Sequence, residues 1–333
     1  MIYDSFKGEV MKNFKKVISL FLVSIMTFTL FACGNAGGND SVKKITLASG
    51  GTSGTYYGFS GAVASRLNEI LNNDMRINVV STGASKANAQ MIDSNDAQIA
   101  IIQNDVMDYA YKATDMFAGQ QPMTSFSAIA SVYPESVQII ANKSITNVEQ
   151  LRGKRVSVGD AGSGTEFNAK QILEAYDMDI DKDIVKNNQS FADSCDSIKN
   201  GTLDAAFVTA GHPTVAVTEL ATNFDFNILP IDDVHANKLI SKYQFYAKVN
   251  IERESYSVLT SDVPTVAVMA TFIASNSLDE DTVYKFTKSL FEEKANIIHQ
   301  KAALLDKNTG VQGISIPFHK GAEKYYKEQG VIN

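Results

Sequence analysis

One supersecondary unit occurs twice in this chain, and that repetition limits its fold more than any other feature. The first copy opens with a β-branched strand at Lys44–Ala48 and the turn Gly51-Thr-Ser-Gly-Thr-Tyr56. A helix follows, with Ala62, Val63, Leu67, Ile70 and Leu71 recurring at steps of three and four. Then come a strand at Arg76–Val80, the loop Ser81–Ser85, a helix over Lys86–Asn95 and a buried strand at Ala97–Ile102. The second copy keeps this order: strand Arg155–Gly159, turn Asp160-Ala-Gly-Ser-Gly-Thr-Glu166, helix Phe167–Tyr176, strand Ile184–Lys186, loop Asn188–Ser190, helix to Asn200, strand Ala205–Val208. Strands alternating with helices predict mainly parallel sheets flanked by helices, an α/β architecture. A long unit present only twice predicts two lobes and not a solenoid.

The remaining segments supply the links. Val137–Ala141 reads as the outward crossing between lobes. Val263–Ile273, apolar and β-branched, reads as the strand that returns. Asp279–Gln300 reads as one helix, with acids at its start and Val283, Phe286, Leu290 and Phe291 on one face. Lobe 1 is therefore expected over 43–138 plus 262–333 and lobe 2 over 139–261, with a hinged cleft between them.

The N-terminus points to the compartment. Lys7, Lys12, Lys15 and Lys16 precede an apolar run at Val17–Phe31. That run is too short for a spanning helix and has the form of a secretory signal over 1–32. Cys33 stands where a lipobox places the acylated residue. Residues 33–42, small and polar, read as a tether to a membrane surface. Met11 opens a Lys-rich stretch with the form of a start of its own. Beyond residue 32 the chain carries 26 Lys and Arg against 35 Asp and Glu. An acidic surface without a basic run excludes nucleic acid as a partner. Cys195 is then the one cysteine besides Cys33, so no internal disulfide is expected and stability must come from the core. A monomer is expected.

The two glycine-hydroxyl turns carry the functional reading. Each ends a strand and opens a helix, where glycine admits a close ligand and the first N–H groups lack intrahelical partners. Thr52, Ser53, Gly54, Thr55 and Tyr56 in one lobe, and Gly162, Ser163, Gly164 and Thr165 in the other, are expected to converge on an anion, most simply a carboxylate. Plain N-capping is the competing role for the hydroxyls. Ser81, Thr82, Gly83 and Ser85 form a third donor-rich loop. Gln103 offers a hydrogen bond, and Asp105 either receives a ligand ammonium or caps the next helix. Tyr56 and Tyr57 are wall candidates, with core packing the rival role, chiefly for Tyr57. Glu166 either meets a ligand amine or steadies its own helix start. Tyr133-Pro-Glu135 either touches the cleft or simply turns the chain.

Enzymatic motifs are missing from the sequence: there is no Gly-x-Ser-x-Gly elbow, no Walker lysine and no Gly-x-Gly-x-x-Gly fingerprint. The four histidines lack metal-ligand spacing, so neither a metal nor a cofactor is expected. Cys195, between acids, reads as a packing residue. A secreted enzyme on the same scaffold, using Glu166 or Asp105, and a sensory module stay open as rivals.

Taken together, the chain resembles the TAXI-type solute receptors of TRAP transporters. The matching stretches are Gly50–Tyr57, Ser81–Ser85, Ala100–Val106, Tyr133–Glu135, Leu151–Gly159, Gly162–Glu166, Asp262–Val268 and Pro317–Tyr326, in the family's order. The resemblance implies a type II periplasmic-binding fold and ion-coupled TRAP membrane permease subunits as partners. It further implies a small carboxylate ligand, such as a glutamate-like amino acid or an oxo- or dicarboxylic acid. It places the pocket at 52–56, 81–85, 103, 105, 133 and 162–165. Ala84 and Ala161 depart from the family's usual residues there, which bears on the ligand more than on the fold.

Overall fold

The computed structural model describes residues 42–333. The expected signal over 1–32, the acylation of Cys33 and all but the last residue of the tether lie outside them. In chain order the elements are β1 (Lys43–Ala48), α1 (Thr55–Ile70), β2 (Met75–Val80), α2 (Ser85–Asp93), β3 (Ile99–Gln103), α3 (Asn104–Lys112) and β4 (Phe126–Asn142). The second copy follows as β5 (Arg155–Ser157), α4 (Gly164–Ala175), β6 (Val185–Asn187), α5 (Phe191–Lys199), β7 (Ala205–Ala210), α6 (Val215–Asn223), β8 (Phe226–Leu229), α7 (Asp233–Lys242) and β9 (Ala247–Ile251). The chain closes with β10 (Val263–Ser275), α8 (Glu280–Glu292) and α9 (Lys320–Glu328).

The strand order β2-β1-β3-β10-β4-β7-β5-β6 places the two copies at opposite ends of one mixed sheet. Within each copy the pairing is parallel, β1 with β2 and β3 and β5 with β6 and β7. Between them run β4 and β10, antiparallel neighbours that pair from Ala267↔Ser136 to Ser275↔Phe126. β10 meets β3 on one side and β4 meets β7 on the other. This is the two-lobe type II arrangement, with both crossings side by side.

Apolar residues on alternate strand faces build separate cores. In lobe 1, Leu47, Phe59, Val63, Leu67, Ile101, Phe272 and Phe286 pack on one face of the sheet, and Ile102, Val106, Met107 and Phe126 on the other. In lobe 2, Val156, Ile172, Leu173 and Phe207 form one core and Ile140, Ile198, Val208 and Val217 the opposite one. Burying a side chain of this size is worth roughly 1.5–3 kcal/mol, so each lobe holds its own shape without a disulfide.

Two expectations change. The helix read over Asp279–Gln300 ends at Glu292, and 3₁₀ turns at Lys294–Asn296 and Gln300–Leu304 replace its second half. Residues 292–296 bury nothing and make local contacts instead: Asn296 donates to Glu293 at 2.8 Å, and Glu293 pairs with Arg66 at 2.7 Å, before Ile297 rejoins the core. The crossing strand is also far longer than Val137–Ala141. Tyr133-Pro134-Glu135 lies inside it, with Tyr133 and Glu135 buried on either side of Pro134.

Candidate functional site

The N-termini of α1 and α4 open onto one cavity between the lobes. Gly50, Gly51, Gly54, Thr55 and Tyr56 line it from the first turn, and Gly164 and Thr165 from the second. Ala84 and Ser85 at the start of α2, Gln103 at the end of β3, Glu135 of β4, Phe191 at the start of α5, and Thr209 and Ala210 at the end of β7 complete the wall. Parallel strands put these residues at their carboxyl ends, where open α/β sheets place ligands.

Direct contacts join the lobes around the cavity. Thr55 Oγ1 donates to the Gly211 carbonyl at 2.7 Å, and Ala216 N–H donates to the Ser53 carbonyl at 3.2 Å. Gln103 Nε2 donates to Asn168 Oδ1 at 3.1 Å. This last contact requires a bare backbone at Gly164, where a Cβ would lie 2.0 Å from Gln103 Oε1. Asn168 cannot turn its amide round, because its Nδ2 donates to Asp105 Oδ2 at 3.0 Å and to Tyr246 Oη at 2.7 Å. Its Oδ1 must therefore accept from Gln103, which leaves Gln103 Oε1 without a hydrogen-bond partner.

The electrostatics are unusual for an anion site. The lining carries no Lys, Arg or His. Its one ionisable carboxyl, Glu135, is buried and accepts from Tyr56 Oη at 3.1 Å. Burial pushes Glu135 well above its ordinary value; the Tyr56 hydrogen bond opposes this and the Asp105 charge adds to it. Asp105 itself is pushed up to about 6, again chiefly by burial. Ala84 holds φ 63°, ψ −146°, a backbone region that favours glycine, in the cavity wall.

The structure brings seven of the expected residues to the cavity: Gly54, Thr55, Tyr56, Ser85, Gln103, Gly164 and Thr165. The others take different places. Thr52 is exposed, and Ser53 meets lobe 2 through its carbonyl. Ser81 and Thr82 turn their hydroxyls back onto the Gly50 and Ser49 carbonyls, fastening the third loop to the first, and Gly83 is exposed. Asp105 orients Asn168 and accepts from Val106 N–H. Tyr133 stacks edge-on against Phe59 beneath the cavity, its hydroxyl unpartnered. Ser163 caps α4 by accepting from Glu166 N–H at 3.1 Å, and Glu166 folds back on Gly162 N–H at 2.6 Å while pairing with Lys186. Core packing falls to Tyr56, buried against Ser85 and Glu135, while Tyr57 is exposed.

Gly50, Gly51, Phe191, Thr209 and Ala210 are wall residues that motif reasoning did not select, and Glu135 entered it only as the end of Tyr133-Pro-Glu135, either touching the cleft or turning the chain. Glu135 had a signal, a carboxyl two residues after Tyr133 in an otherwise apolar run; Phe191 and Thr209 had none beyond their places at a helix start and a strand end. Cys195 is buried, and its thiol is pushed up to about 12 by burial and by the Asp196 and Glu219 charges, as suits a packing residue. Among the described residues Glu149, Asp232 and His235 form one group with metal-like spacing, but Asp232 already caps α7 and holds His235 Nδ1 at 2.6 Å.

The NMT1-like family matches residues 47–330. Among solved structures, PhnD1 from Prochlorococcus marinus (MIT 9301) in complex with methylphosphonate is similar at 12% identity, over 87% of this chain and 99% of that one, with TM-score 0.50. A structure described as a periplasmic transporter is similar at 14% identity, over 86% and 92%, also with TM-score 0.50. At such identities the likeness establishes the shared fold.

Proposed function

The chain belongs to the NMT1-like family, and on that premise we propose that it is an extracytoplasmic solute receptor that delivers its cargo to a membrane transporter. One observation carries this reading: helix-opening turns from two separate lobes share one cavity lined by hydroxyls, an amide and bare backbone. The cargo we propose is a small solute bearing a carboxylate, held by the N–H groups that open α1 and by the Thr165 hydroxyl, while Thr55 braces the opposite lobe through the Gly211 carbonyl. Helix N-termini neutralise an anion without a cation side chain. The cargo binds one lobe, bridges to the other and favours the closed state through the contacts it gains there. On the motifs at 50–57, 100–106 and 262–268, the partner we propose is a TRAP-type permease, with Cys33 as the lipid anchor.

Calorimetric titration of the mature protein with amino acids, dicarboxylates and oxoacids tests the receptor reading. At least one class should bind, and Thr55→Ala/Thr165→Ala should weaken it by about 10-fold or more, given roughly 1.5–3 kcal/mol for a hydrogen bond to a charged group. An unaltered affinity in that double variant would sink the clamp. Uptake that survives collapse of the ion gradient but stops on ATP depletion would replace the TRAP partner with an ATP-driven one.

A further inference from the structure

Two buried polar atoms without a hydrogen-bond partner and one buried carboxyl line the same cavity. Glu135 is 1% exposed and accepts from the Tyr56 hydroxyl through Oε2, with the Gln103 amide also beside its carboxyl. Gln103 is 3% exposed, and its Oε1 has no partner because the Asp105–Asn168 relay commits its Nε2 to Asn168. Thr209, 5% exposed, has an unpartnered Oγ1 on the same wall. An unsatisfied buried polar atom is costly, and an amide oxygen, a hydroxyl and a carboxyl around one space suit a group rich in donors. A ligand carboxylate offers nothing to the Gln103 amide oxygen, since both only accept. An ammonium offers three N–H donors and no acceptor.

We propose that Glu135, Gln103 Oε1 and Thr209 Oγ1 form an ammonium-receiving subsite, making the cavity selective for zwitterionic solutes over their amine-lacking counterparts. The proposal rests on the receptor reading above and adds the second pole: the solute's carboxylate lies at the helix-opening turns and its amine at Glu135. The solute then carries in the positive charge that the lining lacks.

Proton release is the second consequence. The titratable groups around Glu135 are Tyr56 of α1, Asp105 of α3 and Tyr133 of its own strand. His212 meets the neighbouring Ser136 hydroxyl at 2.7 Å, and Lys301 donates to the His212 carbonyl. Burial holds both tyrosines protonated and pushes His212 below its ordinary value, towards the neutral form. Burial keeps the Glu135 proton on in the empty site, and an arriving ammonium favours the ionised carboxyl. Amine capture therefore expels a proton, and affinity for amines rises with pH until the empty site ionises by itself.

Matched pairs test this by calorimetry on the mature protein: alanine with pyruvate, glutamate with 2-oxoglutarate, and leucine with 4-methyl-2-oxopentanoate. The amino member of the best-binding pair should win by about 10-fold or more, with proton release visible as a binding heat that varies with the buffer's ionisation heat. Glu135→Gln should cut the amino-to-oxo affinity ratio by about 10-fold and abolish the release, and Thr209→Val should cut the ratio by a smaller factor. Thermal unfolding of each variant reports whether it is folded. An oxoacid that outcompetes its amino partner, or a Glu135→Gln protein that keeps the ratio, overturns the subsite while leaving the receptor reading intact. Failure of every compound to bind the wild type overturns both.

Discussion

The two turns share Ser-Gly-Thr in sequence but differ in what they leave open. At Ser53-Gly54-Thr55 the helix begins one residue later, on Gly54, and no side chain caps it. Its first N–H groups face the cavity, and Thr55 spends its hydroxyl on the opposite lobe. At Ser163-Gly164-Thr165 the helix begins on Ser163, which caps it, while Glu166 closes the loop behind and Lys186 holds Glu166. The first turn is thus a donor site awaiting a partner. The second is a finished structure whose main offering is the bare Gly164 backbone against Gln103. A one-residue shift in where the helix starts converts the same tripeptide from capped to receptive.

This contrast can be broken at its strongest point first. Gly164→Ala should nearly abolish solute binding, by on the order of 100-fold, because its Cβ would meet Gln103 Oε1 at 2.0 Å and the lobes could not close. The matched Gly54→Ala places its Cβ 3.4 Å from the Gly51 carbonyl and 3.5 Å from Phe191, ordinary contacts, so it should weaken binding by less than about 10-fold. Equal losses in the two variants, measured by calorimetry, would erase the distinction. Next, Thr55→Val removes an interlobe hydrogen bond and should weaken binding by about 5-fold, at about 1 kcal/mol.

Capping gives a smaller and purely structural difference. Ser163→Ala should cost about 1 kcal/mol of stability, and Ser53→Ala should stay within about 0.5 kcal/mol, both read from urea unfolding. The smallest effect is pH-dependent. Burial raises the Glu166 carboxyl, but Lys186, the Gly162 N–H and Asn188 outweigh it and hold the group below its ordinary value. Its folded pKa is depressed, so its contribution is complete above the unfolded value of about 4.3 and fades as pH falls through the folded one. The stability gap between wild type and Glu166→Gln should therefore be largest near neutrality and shrink between about pH 4 and pH 2.

Much of the fold was legible because the doubled unit has a strong period: the six strands and four helices of the two copies fall within a few residues of where the apolar spacing put them. The site was legible at backbone positions such as Gly54 and Gly164, where residue type and strand end together decide the outcome. It was less legible at hydroxyls, which can turn either way. Ser81, Thr82 and Ser163 found carbonyls or N–H groups nearby, which no spacing reveals. Glu135 stayed open between the cleft and a turn because Pro134 suggested a turn, whereas long pairing with β10 carries the strand straight through it. The end of α8 was missed because helix propensity and the apolar spacing to Ile297 both persist past Phe291, while the local contacts of Glu293 with Asn296 and Arg66 are invisible in the sequence.

The paired crossing strands also decide how this molecule can move. β4 and β10 share a ladder with irregularities at Ala270/Thr271 and Phe272/Ile273, and since both strands are buried on both faces, a one-residue slip would drive every side chain into the opposite core. Sliding of one half past the other is therefore forbidden, and flexing of a two-stranded ribbon is the cheap motion left. Displacement then grows with distance from the ribbon, so the rim around Thr52 and Ala161 travels farthest while the floor at Glu135 scarcely stirs. Recognition chemistry sits at the still point, and any membrane component that senses occupancy has its largest signal at the outer lips.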